Sequence, residues 1–93
     1  MLAERFKFNK LEKIIKGCSN HRRIEILYLL DKEPELSVLE IAKSLKVNFK
    51  TISEHIRRMA IAELITKRPE ASSVRHKATG LGRAILKFLK TLE

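Results

Sequence analysis

Lys50, Thr51, Ser53, Glu54 and Arg57 stand close together in a stretch whose apolar members are Ile52, Ile56 and Met59. The chemistry open to the polar set is recognition. Lysine and arginine donate to guanine edges or phosphates, a carboxylate accepts from a cytosine amino group, and hydroxyls suit either role. Spacings of four and three put the apolar residues on one face of a helix, which leaves the polar ones outward. Asn48 precedes this helix, where its side-chain oxygen can accept from an unpaired first-turn N–H. Arg58 extends the cationic side. His55, three residues after Ile52, falls at the edge of the buried stripe, as a hydrogen-bonded residue or a phosphate contact. Phe49 is odd in an exposed first turn. It fits a thymine methyl contact or a staple to Val47 or Leu45, and the staple is the preferred reading.

A second helix must position this one. Ser37 with Glu40 three residues on is a capping box, and Ile41, Ala42 and Leu45 give the helix that follows an apolar stripe. Two short helices on either side of a tight break, residues 37–62, form the pattern of a helix-turn-helix, whose second helix lies in the major groove of DNA. After Ala62 the period changes. Leu64 to Arg68 is expected as a strand, Pro69 to Ser73 as a turn and Val74 to Ala78 as the returning strand. This hairpin, 64–78, is a wing carrying Lys67, Arg68, Arg75 and Lys77, expected to reach phosphates or the minor groove. Alternation along a strand means that not all four can do so.

The flanking elements are helical. Phe8, Leu11, Ile14 and Ile15 mark a first helix over 5–17, which Gly17 is expected to end as a left-handed residue. Ser19 or Asn20 then caps a helix apolar over most of its circumference, from Ile24 to Leu30, expected at the centre of the core. Glu33-Pro34-Glu35 breaks it. Thr79 precedes a last helix, 79–92, with Ile85, Leu86, Phe88, Leu89 and Leu92. The apolar residues of the two terminal helices, with Phe6, exceed what one small core needs. Phe8, Leu11, Ile14, Ile15, Ile85, Phe88, Leu89 and Leu92 are therefore expected to form a two-fold helical interface.

Charge agrees with a polyanionic partner. The chain of 93 residues carries a net charge of +9, and Lys46 to Lys77 holds eight Lys or Arg against three Glu. A further run, Lys7, Lys10, Lys13 and Lys16, repeats every three residues. No apolar stretch approaches the roughly 20 residues of a membrane span, and the N-terminus lacks a signal-peptide core. The cytoplasm is the expected compartment, since Cys18 has no internal partner. Cys18 is expected as a small buried residue. A redox switch favoured by the next helix N-terminus and Arg22 is the alternative. His21, His55 and His76 do not have ligand spacing, no catalytic constellation is present, and no metal or other cofactor is expected.

The chain resembles winged helix-turn-helix transcriptional regulators of the ArsR-like group, with some likeness to the MarR and PadR groups. Arg23 to Leu30 is similar to the family's R-x-x-I-L-x-x-L core helix, and Leu36 to Met59 to its L-S-V-x-E-L-A block, with Thr51, Ser53 and His55 at matching positions. Ala62 to Ile65 and Ala78 to Arg83 resemble the later A-G-L-V and L-T-x-x-G-R segments. The resemblance covers about residues 20 to 84. It implies a homodimer joined through the first and last helices, and repression relieved by an effector. It departs from the metal sensors, since Ser37, Val38 and Leu39 stand at one metal site and the last helix has no His, Cys or Asp. Glu63 replaces a common glycine. No room is expected for a separate effector domain.

The expectation is a mainly α, single-domain winged helix-turn-helix protein that regulates transcription. It should bind double-stranded DNA in sequence as a homodimeric repressor and not act as an enzyme. The alternatives are a sequence-indifferent architectural protein, against which Glu54 speaks, and a protein-interaction module, against which Lys50, Arg57 and Arg58 speak.

Overall fold

Five helices and one hairpin follow one another in a computed structural model that describes residues 2–93, with side chains from residue 4 onward. The order is α1 (Leu2–Cys18), α2 (His21–Lys32), α3 (Val38–Leu45), α4 (Phe49–Ile61), β1 (Ile65–Glu70), β2 (Ser73–Ala78) and α5 (Gly80–Thr91). Asn20, not Ser19, caps α2: it is extended and its side chain accepts from the Arg22 N–H at 2.9 Å. α2 is the centre of the fold, touching every other helix and β2, with Ile26, Leu27 and Leu30 buried. It stops at Lys32, two residues before Pro34.

The helix-turn-helix is built as its caps dictate. Both arms of the capping box form, Ser37 N–H to Glu40 at 2.9 Å and Glu40 N–H to Ser37 Oγ at 3.2 Å. Lys46 ends α3 in the left-handed region at φ 57°. Asn48 Oδ1 accepts from the N–H groups of Lys50 at 2.7 Å and Thr51 at 3.3 Å, which opens α4. Ile41 and Ala42 of α3 face Ile52, Ile56 and Met59 of α4 across the core.

The hairpin is longer than its composition suggests. β1 and β2 pair antiparallel from Ile65↔Ala78 to Glu70↔Ser73, so the turn is Ala71-Ser72 and not Pro69 to Ser73. β1 lies at a sheet edge, where proline's missing N–H is tolerated, and Pro69 pairs with Val74 inside the ladder. A third short segment, unforeseen in the sequence, joins the sheet. Leu36 bridges to His76. Its carbonyl accepts both the His76 N–H at 2.9 Å and Nδ1 at 2.8 Å, while Glu35 N–H donates to the His76 carbonyl at 2.9 Å.

Gly17 does not end α1 and does not take a left-handed conformation. It lies inside the helix, and a Cβ there would overlap the Ala62 side chain. Gly82 in α5 is tighter still, because a Cβ there would overlap the Leu64 carbonyl oxygen. Both glycines allow α1 and α5 to close on the corner between α4 and β1. The left-handed positions fall instead to Glu35, Lys46, Glu63 and Ala71, with φ of 53° to 70°. Thr79 locks the same corner: its hydroxyl donates to the Glu63 carbonyl at 2.7 Å and accepts from Gly82 N–H at 2.9 Å, and its N–H donates to Leu64 at 3.0 Å.

Candidate nucleic-acid interface

The outward side of α4 carries the residues expected there. Asn48, Lys50, Thr51, Glu54, Arg57 and Arg58 are exposed, and Ser53 and His55 are half-buried. Lys50 and Thr51 stand in the first turn, with their backbone N–H groups taken by the Asn48 side chain. Phe49 is half-exposed beside them.

Glu54 is not a free acceptor. Arg57 donates to both its oxygens, at 3.0 and 2.6 Å, and Arg58 Nε donates at 2.9 Å. These hydrogen bonds, Arg57's first, pull its carboxyl down to about 2. The carboxylate fixes two guanidiniums on one helix face. His55 is held by one ring nitrogen: its Nδ1 accepts from Arg23 Nε at 3.1 Å, so the proton of the neutral ring sits on Nε2. Burial, then the Arg23 charge, lowers its pKa. Arg23 also donates to the Lys16 carbonyl at 2.9 Å, which ties the ends of α1 and α2 to α4.

The wing divides its cations by face. In the observed register Lys67 shares a face with His76 and Val74, while Arg68, Arg75 and Lys77 lie on the other. Lys67 lines a groove between α4 and the wing, with Ser53, Glu54 and Arg57 on the opposite wall. Arg68 pairs with Glu35 at 2.9 Å and Glu70 at 3.4 Å. Arg75 pairs with Glu40 at 2.7 Å and Glu70 at 3.3 Å. Those two arginines bind the wing to the loop before α3 and to the capping box of α3. Among the described residues Lys50, Lys67 and Lys77 have no acidic partner. His76 is buried at 1% exposure beneath the groove, and burial lowers its pKa. Leu36 offers only an acceptor, so Nδ1 carries the proton of the His76 ring, the opposite tautomer to His55.

The terminal helices leave apolar side chains uncovered. Phe8, Leu11 and Ile15 on α1 and Phe88 and Leu92 on α5 are exposed, as is Phe6; Ile14 and Ile85 are half-buried against the core, and Leu89 is half-buried. Ile61, at the end of α4, is 70% exposed and was not foreseen, because helical spacing sets it outside every apolar stripe. Cys18 is buried, and its Sγ donates to the Ile15 carbonyl at 3.3 Å. Burial raises its pKa against smaller opposing effects of the backbone hydrogen bond and Arg23, the reverse of an activated thiol. Among the described residues no three His, Cys, Asp or Glu come together as a metal site, and no helix is long and apolar enough to cross a membrane.

Residues 20–67, which hold α2, the helix-turn-helix and the start of the wing, match the family model described as bacterial regulatory protein, arsR family. The chain belongs to the ArsR family. It is a winged helix-turn-helix DNA-binding domain of that group of transcriptional regulators. An uncharacterised HTH-type transcriptional regulator of Methanocaldococcus jannaschii is 34% identical over 53 residues, which are 57% of this chain and 55% of that one. The match thus spans about half the length of that curated relative. Reduced HlyU from Vibrio cholerae is 26% identical over 99% of this chain and 97% of its own, with a TM-score of 0.83. The homodimeric winged helix-turn-helix domain of a possible ArsR-family regulator from Mycobacterium bovis has a TM-score of 0.86. It covers 96% of this chain and 82% of its own at 22% identity, and so bears on the fold alone.

Proposed function

We propose that this ArsR-family chain is a homodimeric, sequence-specific DNA-binding repressor, folded as one domain over residues 1–93. The observation that carries the reading is the groove between α4 and the wing. Unpaired Lys67 stands on one wall, and Ser53 and the Glu54-fixed Arg57 stand on the other. Lys50, Thr51, Ser53 and Arg57 read or flank base edges, and Asn48, His55, Arg58, Lys67 and Lys77 serve backbone contacts. Glu54 reads a base only by exchanging an arginine for a cytosine amino group. Arg68 and Arg75 act chiefly by holding the wing. Double-stranded DNA in the cytoplasm is the partner, and the role is regulatory with no catalysis.

Dimerisation rests on the uncovered face of Phe8, Leu11 and Ile15 beside Ile14, and of Phe88 and Leu92 beside Ile85 and Leu89. Water-exposed stripes of this kind on both terminal helices fit a self-complementary interface. The two copies of α4 would then meet successive major grooves about 34 Å apart, on an imperfect palindrome. Repression follows from occupying such a site, and the chain works without the family's usual metal ligands. The test is fluorescence anisotropy of a duplex selected from random DNA against an unselected duplex across a salt series. A selected site that wins by roughly a thousandfold or more, with steep salt slopes for both, supports the reading. Equal binding of the two sinks sequence specificity, and a site without two-fold character sinks the dimer geometry.

A further inference from the structure

Behind the recognition face, a cleft opens between α1 and α4. Its walls carry Lys13 and Lys16 of α1, Arg23 of α2, and Arg57 and Arg58 of α4, and among the described residues no acidic one lines it. Five cations from three helices repel one another unless something between them is negative. Two nearby carboxylates answer only part of that charge. Glu54 holds Arg57 and Arg58 within α4, and Glu12 meets Lys16 at 3.1 Å on the exposed surface of α1. Lys13 has no acidic partner among the described residues. Arg23 is preorganised by the Lys16 carbonyl and His55.

Two further observations say what the anion is. Arg57 lines both this cleft and the groove between α4 and the wing, so the cationic surface is continuous with the recognition face. Helical geometry of about 100° per residue also puts Lys10, Lys13 and Lys16 on the flank of α1 away from Phe8, Leu11 and Ile15. A dimer formed through that apolar flank leaves the lysines free. A linear polyanion crossing α4 would therefore run on into the cleft and along α1.

We infer that the α1–α4 cleft is a second phosphate-binding station, one that grips the DNA backbone beyond the bases faced by the first turns of α4. The inference rests on the DNA-binding reading above. It gives a role to the run Lys7, Lys10, Lys13 and Lys16, which the recognition helix and wing do not use. The station contacts phosphates only and adds affinity without sequence preference.

The test compares the full chain with its K13Q/K16Q variant and with a charge-matched control, K32Q/K87Q, on a selected and an unselected duplex. The cleft variant should lose roughly tenfold or more in affinity at low salt, equally on both duplexes. Its slope of log affinity against log salt should fall by about 0.9 for each lysine that met a phosphate. The control should keep both slopes. Matching behaviour of the cleft variant and the control, with the wild type still bound, overturns this inference and leaves the recognition face standing. A wild type that binds neither duplex removes the DNA reading and this one with it. Pyrophosphate provides the last arm. If it binds the wild type and not K13Q/K16Q while both DNA slopes stay unchanged, the cleft serves a soluble phosphate compound and the DNA assignment is overturned.

Discussion

The wing carries four cations and α1 five, and they differ in what those cations are free to do. On the wing, Arg68 and Arg75 are spent on Glu35, Glu40 and Glu70. On α1 only Lys16 meets an acid, the exposed Glu12 one turn away, and Arg5, Lys7, Lys10 and Lys13 meet none among the described residues. Formal charge is therefore a poor map of available charge. A single exposed ion pair contributes little. Arg75, however, bridges the wing tip and the capping box of α3 through one guanidinium, and it is less exposed than Arg68, the other wing cation with acidic partners. The wing ties two of its cations into the fold, and α1 leaves most of its own without an acid, as the proposed phosphate contact requires.

The largest way to break the contrast is at the base that keeps the wing stiff. Gly82→Ala sets a methyl against the Leu64 carbonyl and should cost about 2–3 kcal/mol, read as a lower midpoint in urea denaturation. A midpoint equal to wild type would mean that α5 does not press on this corner. Acid acts next on the same region. His76 has a folded pKa below its unfolded value of about 6.5, so the unfolded chain takes the proton first. Stability is full above that value and declines as pH falls through it towards the folded pKa. His55 adds in the same direction. His76→Gln should flatten part of this decline in denaturation curves taken between roughly pH 7 and pH 5; an unchanged pH profile would assign the effect elsewhere.

Arg75 and Lys77 then sharpen the comparison within one strand. Arg75→Gln should lower stability by about 1 kcal/mol and leave the salt slope of DNA binding nearly unchanged. Lys77→Gln should do the opposite, leaving stability alone and reducing the slope by about 0.9. Reversed results would mean that the wing's ion pairs open on DNA. Smallest of all, Glu63→Gly should raise stability by about 0.5–1 kcal/mol, since a side chain at φ 63° is strained. Thermal unfolding decides it, and no gain would show that Glu63 makes a compensating contact.

Local signals were legible where one residue settles one bond. Ser37 with Glu40, Asn48 and Thr79 cap as their types require, and Ile52, Ile56 and Met59 are buried as their spacing requires. What the sequence did not disclose depends on distant partners. Gly17 looked like a helix end, but Ala62, far along the chain, sets its need for no side chain. Pro69 looked like a turn because its tolerance in a strand depends on β1 having an open edge. Arg68 and Arg75 looked like free cations because their acids, Glu35 and Glu40, are brought up only by folding. The bridge between Leu36 and His76 left no local mark, since one residue pair is too short to show a strand period.

That bridge makes the molecule a calliper. One jaw is the α3–α4 pair, the other is the wing, and the Leu36 carbonyl, holding two donors of a single histidine, is the rivet between them. The opening between the jaws is thus a dimension that the proposed recognition would have to meet: under the DNA reading, a duplex that does not match it must itself bend or narrow, so part of any selection would fall on how readily the DNA yields.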